Sequence, residues 1–402
     1  MPPAPLARRH LLAGSLGATL AATGCASSGT PSAAAPGPAP DSARPDRAGL
    51  ELVRAMRCPS TPTGIALSPD GQRLFVFMPR FDAQVPYTVG EVRPDGSVVP
   101  WPDAERNRPD PQRPQVSLVH VPNGVFDAAG RLWLLDAGLA TGSGAPMNGA
   151  PKLLCLDIAD GRVLKTVPLS AATVPTSSLN DLRVRAGGSG REVAYITDQG
   201  QDGKGALMAV DLASGRAVRR LAEHGSTASV KGVLKIVEGR PVERVDASGQ
   251  RQPVQGGANG IALSHDGATL YYAPLMGRRL YAVDTAALLD APSDAAVAAT
   301  VRDLGEKGMT GGLACDDRDR VYLTLQESEA VGRRHPDGRI EMLGTDPRLL
   351  WPDTFHIARD GWLYVNAAQV QRRPEYHGGT DRQQPPYLLF RLRIDAGPAA
   401  VG

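Results

Sequence analysis

The chain has 402 residues, 42% of them hydrophobic, and a formal net charge of +2. Arg8 and Arg9 supply that whole excess, so a chain cut after residue 24 would be neutral. Without surplus cations to replace phosphate counterions there is no electrostatic case for nucleic acid. The apolar content suffices for a core, while no apolar run reaches the ~18 residues of a membrane span.

The first segment reads as an export signal. Arg8-Arg9-His10-Leu11-Leu12 gives a positive start, and Leu11 to Ala22 is apolar but too short to cross a bilayer. It ends in Leu20-Ala21-Ala22-Thr23-Gly24-Cys25, small residues set before a cysteine. The pattern resembles a bacterial lipoprotein signal, and the paired arginines resemble a twin-arginine signal. Ala22 stands where such signals prefer leucine. An ordinary signal peptide with an incidental cysteine is the alternative. The resemblance implies a signal over residues 1–24, lipidation at Cys25 and an extracytoplasmic place in the cell envelope, in the periplasm, at the outer membrane or secreted. Residues 25–49, rich in Pro, Ala, Ser and Gly, read as a disordered tether. A flexible coil of that length spans about 25–30 Å.

From there one phrase recurs six times: a small polar residue, a hydrophobic strand, a tight turn, a second hydrophobic strand. The copies open at Thr63-Gly64-Ile65, Asn123-Gly124-Val125, Asn180-Asp181-Leu182, Asn259-Gly260-Ile261, Gly311-Gly312-Leu313 and Asp353-Thr354-Phe355. They lie roughly 40 to 80 residues apart, the range of propeller blades. Asp70-Gly71, Asp95-Gly96, Asp160-Gly161, Asp266-Gly267, Asp337-Gly338 and Asp360-Gly361 supply hairpin turns. Further strand pairs follow within the units, such as Leu153 to Leu156 with Val163 to Val167. Helical periodicity is confined to a turn at Thr285 to Leu289. The fold class is therefore all-β, a six-bladed β-propeller with four-stranded antiparallel blades around a central tunnel. It should occupy residues 50–396, with a flexible tail over 397–402. Leu50 to Met56 and Tyr387 to Ile394 should meet in one blade and close the ring.

Cys58, Cys155 and Cys315 lie in or beside apolar strands without metal-ligand spacing. Buried thiols are expected, although an oxidising compartment would allow one disulfide. Gly142 to Gly149 lacks a P-loop lysine, and no nucleophile elbow or HExxH motif is present. The basic stretch Gln371 to Arg382 reads as a solvated loop.

Arg73-Leu74-Phe75-Val76-Phe77-Met78-Pro79-Arg80-Phe81 and Val85-Pro86-Tyr87-Thr88-Val89 resemble the opening of the major royal jelly protein and yellow family. Gly130-Arg131-Leu132-Trp133-Leu134-Leu135-Asp136-Ala137-Gly138, Pro151-Lys152-Leu153, Ala194-Tyr195-Ile196-Thr197-Asp198, Leu270-Tyr271-Tyr272-Ala273-Pro274-Leu275 and Trp351-Pro352-Asp353-Thr354-Phe355 follow in the family's order. The likeness covers about residues 58–372. It implies a secreted six-bladed propeller, related to gluconolactonase-like proteins, in a family where some members bind small aromatic amines in the tunnel. Insect yellow proteins are associated with dopachrome conversion, and bacterial relatives carry names derived from it. Family members often have a cysteine where this chain has Ala129, so a family disulfide there is absent. Family activities are diverse, so fold is better secured than chemistry.

In a propeller the first strand of each blade runs beside the channel, so the openings of the phrases ring one mouth. Thr63, Asn123, Asn180 and Asn259 are the ligand-binding candidates there, with Phe355 available to stack on a ring. The same Asn-Gly and Asn-Asp steps also serve as plain turn formers. Asp181 and Asp353 are the candidate catalytic acids or ammonium partners, and His356 the candidate proton shuttle. Tyr87 and Trp351 are further stacking candidates, although aromatics beside strands are usually core. Three functions compete: a binder or tautomerase of a small molecule, with aromatic ones among the options, a divalent-metal lactonase, and a non-enzymatic envelope protein. Resemblance to gluconolactonase-like proteins implies a Glu, Asn and Asp on the metal. Asn259 matches the asparagine, but Gly311 holds the aspartate's place and no glutamate stands near Thr63. A metal would draw on Asn259, Asp181 and Asp353, and Ca2+ or another divalent cation is the cofactor left open. The expected partners are a small-molecule ligand and, through Cys25 alone, a membrane; the chain should be a monomer.

Overall fold

The repeated phrase builds six four-stranded antiparallel sheets in the computed structural model. It describes residues 49–186, 188 and 190–399. The signal, Cys25 and nearly all of the tether lie outside the described residues. Blade 1 runs from Gly64–Leu67 to Val98–Pro100, blade 2 from Asn123–Phe126 to Val163–Pro168, and blade 3 from Leu179–Arg185 to Ala217–Arg220. Blade 4 runs from Ala258–Leu263 to Arg302–Glu306, and blade 5 from Thr310–Cys315 to Ile340–Thr345. Blade 6 takes Pro352–Ile357, Trp362–Ala367 and Tyr387–Arg393, and receives Glu51–Met56 as its outer strand. That last pairing, with Met56 opposite Tyr387, closes the ring as expected.

Alternation along each strand explains the core. Successive side chains face opposite sides of a blade, so Trp133 and Leu135 pack toward blade 3 while Leu132 and Leu134 pack toward blade 1. The same division fills every interface between neighbouring blades with one apolar cluster. Each of the six Asp-Gly turns has its glycine at positive φ, between 70° and 93°. The glycines that open the inner strands have another role. A Cβ on Gly260 would stand 2.4 Å from the Gly311 carbonyl oxygen, and one on Gly312 would stand 1.9 Å from that of Asp353. Neither has positive φ, so these glycines serve close approach of inner strands at the axis rather than turns.

The structure departs from the sequence reading in four places. The turn at Thr285 becomes the helix Thr285–Asp290, followed by a second helix, Asp294–Ala298. Residues 222–257, between blades 3 and 4, carry two short hairpins and bury Val237, Val242 and Val254 against Trp351 and Val370. The basic stretch from Gln371 is solvated only in part, since residues 378–382 are exposed but its start is packed. Arg373 is buried, sits 4.1 Å from the Phe81 ring centroid and donates to Thr61 Oγ1, and Arg372 pairs with Glu238 at 2.5 Å. The propeller also runs past residue 396, since Pro398 bridges to Asp316 and the Ala399 N–H bonds the Cys315 carbonyl. Cys58, Cys155 and Cys315 are all buried and free, and burial raises each thiol's pKa.

Candidate functional site

Four of the six inner strands change register at their first residues, between Leu179 and Leu182, Ala258 and Gly260, Thr310 and Leu313, and Pro352 and Phe355. A bulge re-aims side chains and leaves backbone N–H groups without ladder partners. In blades 3, 5 and 6 a polar residue on the second strand satisfies them. Thr197 Oγ1 accepts from the Asp181 N–H at 3.1 Å and donates to the Asn259 carbonyl of blade 4 at 2.6 Å. Thr324 Oγ1 accepts from Gly311 and Gly312, and Asn366 Oδ1 accepts from Thr354 while its amide donates to the Pro62 carbonyl of blade 1. The Thr197 and Asn366 latches tie neighbouring blades together around the axis.

The bulges deliver one polar ring. Thr63, Asn123, Asn180, Asp181, Asn259, Gly311 and Asp353 line a single axial cavity of about 10 Å³, room for one water. Gln199 bridges two of the amides, accepting from Asn259 Nδ2 at 3.3 Å and donating to Asn180 Oδ1 at 3.4 Å. Asp181 Oδ1 accepts from the Leu182 N–H at 2.7 Å, from Arg183 Nη1 at 3.0 Å and from Asn123 Nδ2. Burial nevertheless pushes its carboxyl above the ordinary range, against the pull of Arg183.

Asp353 is enclosed by protein but open to the cavity. Burial pushes its carboxyl up to about 8; Lys235 opposes the rise and Asp181 adds to it. The Lys235 ammonium is fully buried, donates to Gln326 Oε1 at 2.5 Å and stands 4.4 Å from the Trp351 ring centroid. Burial pushes it down to about 7, with Asp353 and Glu327 opposing. Gly311 explains how the side chains fit: a Cβ there would meet Gln326 Nε2 at 2.5 Å and Asp353 Oδ1 at 2.8 Å. The room a side chain would take at the fifth repeat position is already filled.

Below the ring, Arg183 crosses the axis from blade 3 to blade 5. Its Nη2 donates to the Leu313 carbonyl at 2.6 Å, and Nη1 also reaches the Leu182 carbonyl at 2.6 Å. Beyond it opens a funnel of about 660 Å³, walled by Ile65, Val125, Leu263, Ala314, Phe355 and Ile357. His356 lines this funnel as well, and burial with the Arg183 charge pushes its imidazole down to about 4.

The expected site therefore divides. The six repeat positions and Asp181 do share one cavity. Phe355 and His356 do not line it; they face the funnel, because they lie one and two pairings further down their inner strand. Phe355 packs edge-on against Tyr322, ring centroids 6.4 Å apart. Tyr87 donates its hydroxyl to the Val98 carbonyl within blade 1, and Trp351 is buried beneath the 222–257 segment. Neither lines the ring or the funnel. Sequence reasoning missed Arg183, Lys235, Gln199 and Gln326. Arg183 had a usable signal, two residues after Asp181 on the same strand face. Lys235 had none, lying in an irregular connection.

A closed six-bladed ring with bulged inner strands and a polar axial girdle defines the architecture. The Major royal jelly protein family matches residues 124–380, more than half of the chain, and the protein belongs to that family. Blade 1 and its opening segments lie outside the match. Yellow-related salivary protein LJM17 of Lutzomyia longipalpis is 35% identical over 105 residues, 24% of this chain and 26% of that protein. Major royal jelly protein 7 of Apis mellifera is 32% identical over 165 residues, 40% of this chain and 34% of that protein. The matches thus span only a quarter to a third of these relatives' length. Among solved structures, a gluconolactonase from Xanthomonas campestris superimposes with a TM-score of 0.50 at 15% identity, over 86% of this chain and 89% of that one. A calcium-binding regucalcin from Agrobacterium tumefaciens gives 0.50 at 16% identity, over 84% and 91%. At such identity the likeness speaks for the fold alone.

Proposed function

We propose that this propeller binds a small aromatic amine at the axial ring. The observation that carries the reading is Asp353, a carboxyl enclosed at the ring with no neutralising ion pair within 4.0 Å among the described residues. A carboxyl that burial forces to keep its proton is one that a ligand ammonium would ionise, trading the proton for a cation. Asn180 and Asn259 supply amide donors and acceptors for ring hydroxyls or an indole N–H. Entry of a ligand larger than water requires the ring-side segments to move. Titration of tyramine, dopamine and tryptamine should raise the melting temperature, whereas their N-acetyl forms should not. Asp353→Asn should abolish the response, and Asn180→Ala and Asn259→Ala should weaken it roughly tenfold each. Equal response to amines and N-acetyl amines would refute the reading.

Isomerisation is the second reading, favoured by the same carboxyl. A group that titrates near neutrality can take a proton from one carbon or oxygen of a bound quinone and return it to another. A divalent-metal lactonase fits less well. A hard cation needs several oxygens including carboxylates, yet Arg183 already contacts Asp181, Lys235 already faces Asp353, and Gly311 contributes no side chain. Among the described residues no cluster of three or more His, Cys, Asp or Glu is arranged for a metal.

Export and anchoring through Cys25 belong to the same proposal, on the strength of the signal-like first residues. Cells fed a radiolabelled fatty acid should label the chain, and Cys25→Ser should lose the label. Equal labelling of both would remove the anchor.

A further inference from the structure

We propose that the wide funnel is a second binding site, for a flat apolar monocarboxylate whose carboxylate docks on Arg183. The proposal is independent of the amine reading, because the funnel and the ring lie on opposite sides of that side chain.

The cation is the first argument. Arg183 is buried, and a guanidinium stays charged at any physiological pH. Its bonds to Asp181, Leu182 and Leu313 use three of its five N–H groups. The side chain lines the funnel floor, where apolar walls offer it little else to bond. Charge-assisted, forked hydrogen bonds to a carboxylate are what a guanidinium makes best. Asp181 is its carboxylate partner, and burial raises that carboxyl against the pull of Arg183.

The chamber is the second argument. About 660 Å³ lies within the range of small-molecule pockets, and apolar walls with few convergent polar groups are the usual composition. Ile65, Val125, Leu263 and Ala314 come from four different inner strands and enclose a body the size of one or two fused rings. Asn123, Thr354 and His356 are further polar groups near the floor, and His356 remains neutral at pH 7, offering one hydrogen bond without competing for the anion.

The rim limits the charge to one. Asp70, Asp127, Asp317 and Asp360 line the outer funnel with one cation, Arg359, so acids outnumber it four to one there. Asp127 is held by Arg131 and the Trp133 indole, Asp70 by Ser68, and Asp317 by the Gly397 N–H. A dicarboxylate with its second charge at the rim would meet these acids, whereas an acid with an apolar tail would not.

Isothermal titration of the purified protein with naphthoate and phenylacetate, against naphthamide and phenylacetamide, tests the proposal. The acids should bind at least roughly tenfold tighter than the isosteric amides, the value of one charge-assisted hydrogen bond. Arg183→Gln should erase that preference. Because Arg183 also ties blade 3 to blade 5, Ala314→Phe provides a second route: it fills the chamber without touching the cation and should abolish acid binding. Equal affinity for acids and amides in the unaltered protein overturns the proposal. So does failure of both acids to bind at millimolar concentration, or retention of binding by folded Ala314→Phe. Amines read through Asp353 and acids read through Arg183 fail separately.

Discussion

Asp136→Leu should leave the propeller largely unfolded at room temperature, whereas Lys152→Met should fold with its stability reduced by about 3 kcal/mol. Asp136 ends the second strand of blade 2 and is fully buried. It accepts from the backbone N–H groups of Val119, His120 and Gly138, each at 2.9 Å, and from Lys152 Nζ at 2.7 Å. Leucine would strand three buried N–H groups, at about 1–3 kcal/mol each, and leave Lys152 with the Ala150 carbonyl alone. Their sum reaches the whole stability of an ordinary domain, about 5–15 kcal/mol. Methionine at 152 fills a similar volume and leaves the carboxylate its three N–H donors, so the loss stays at the lower end for a broken buried pair. Urea unfolding of both variants checks the ranking. Lys152→Met as costly as Asp136→Leu, or neither moving the midpoint, would mean the pair does not organise the connections around blade 2.

That pair also shows where the sequence was informative. The segments around Leu132 to Asp136 and Pro151-Lys152-Leu153 carried the family likeness, and they contribute both partners of one buried contact. Six copies of one phrase were enough for blade number, ring closure and the axial position of Thr63, Asn123, Asn180, Asn259, Gly311 and Asp353, because strand period and repeat spacing are local properties. What failed was depth along the tunnel. Phe355 and His356 follow Asp353 by two and three residues, yet lie on the far side of Arg183, a separation that exists only once six strands are brought together. Lys235 was illegible for a related reason: its segment has no periodicity, and its meeting with Gln326, some 91 residues on, depends on the hairpins that fold over blade 5. Arg183 stands three residues past the opening of its phrase, where the repeat alignment singles out no position.

Asp353→Asn should stabilise the protein most at alkaline pH. Asp353 releases its proton near 8 in the fold against the ordinary 3.8. The folded state therefore holds a proton that the unfolded chain gives up, and this contribution is complete below 3.8 and lost as pH climbs through 8. Lys235 runs the other way: its ordinary 10.5 falls to about 7, so its contribution is complete above 10.5 and lost as pH falls through 7. Asp353 has lost its whole contribution by about 8 and Lys235 has lost its own by about 7, so the pair contributes least between about 7 and 8 and more towards either extreme. Asparagine keeps the shape and removes the alkaline loss, so at about pH 9 the variant should be more stable than the parent by on the order of a few kcal/mol. At about pH 6, where the fold keeps the proton that the unfolded chain has already lost, roughly half of that gain should remain, and it should vanish only below 3.8. Lys235→Met, which retains the contact with Trp351, should mirror this and gain most at about pH 6. Melting temperatures of the parent and both variants across that range are the measurement. A larger gain for Asp353→Asn at acid than at alkaline pH would mean that Asp353 ionises freely, and with it would go the reason for an ammonium to seek the ring. A bound amine should itself reproduce the alkaline gain in the parent, because it replaces the proton that Asp353 would otherwise keep.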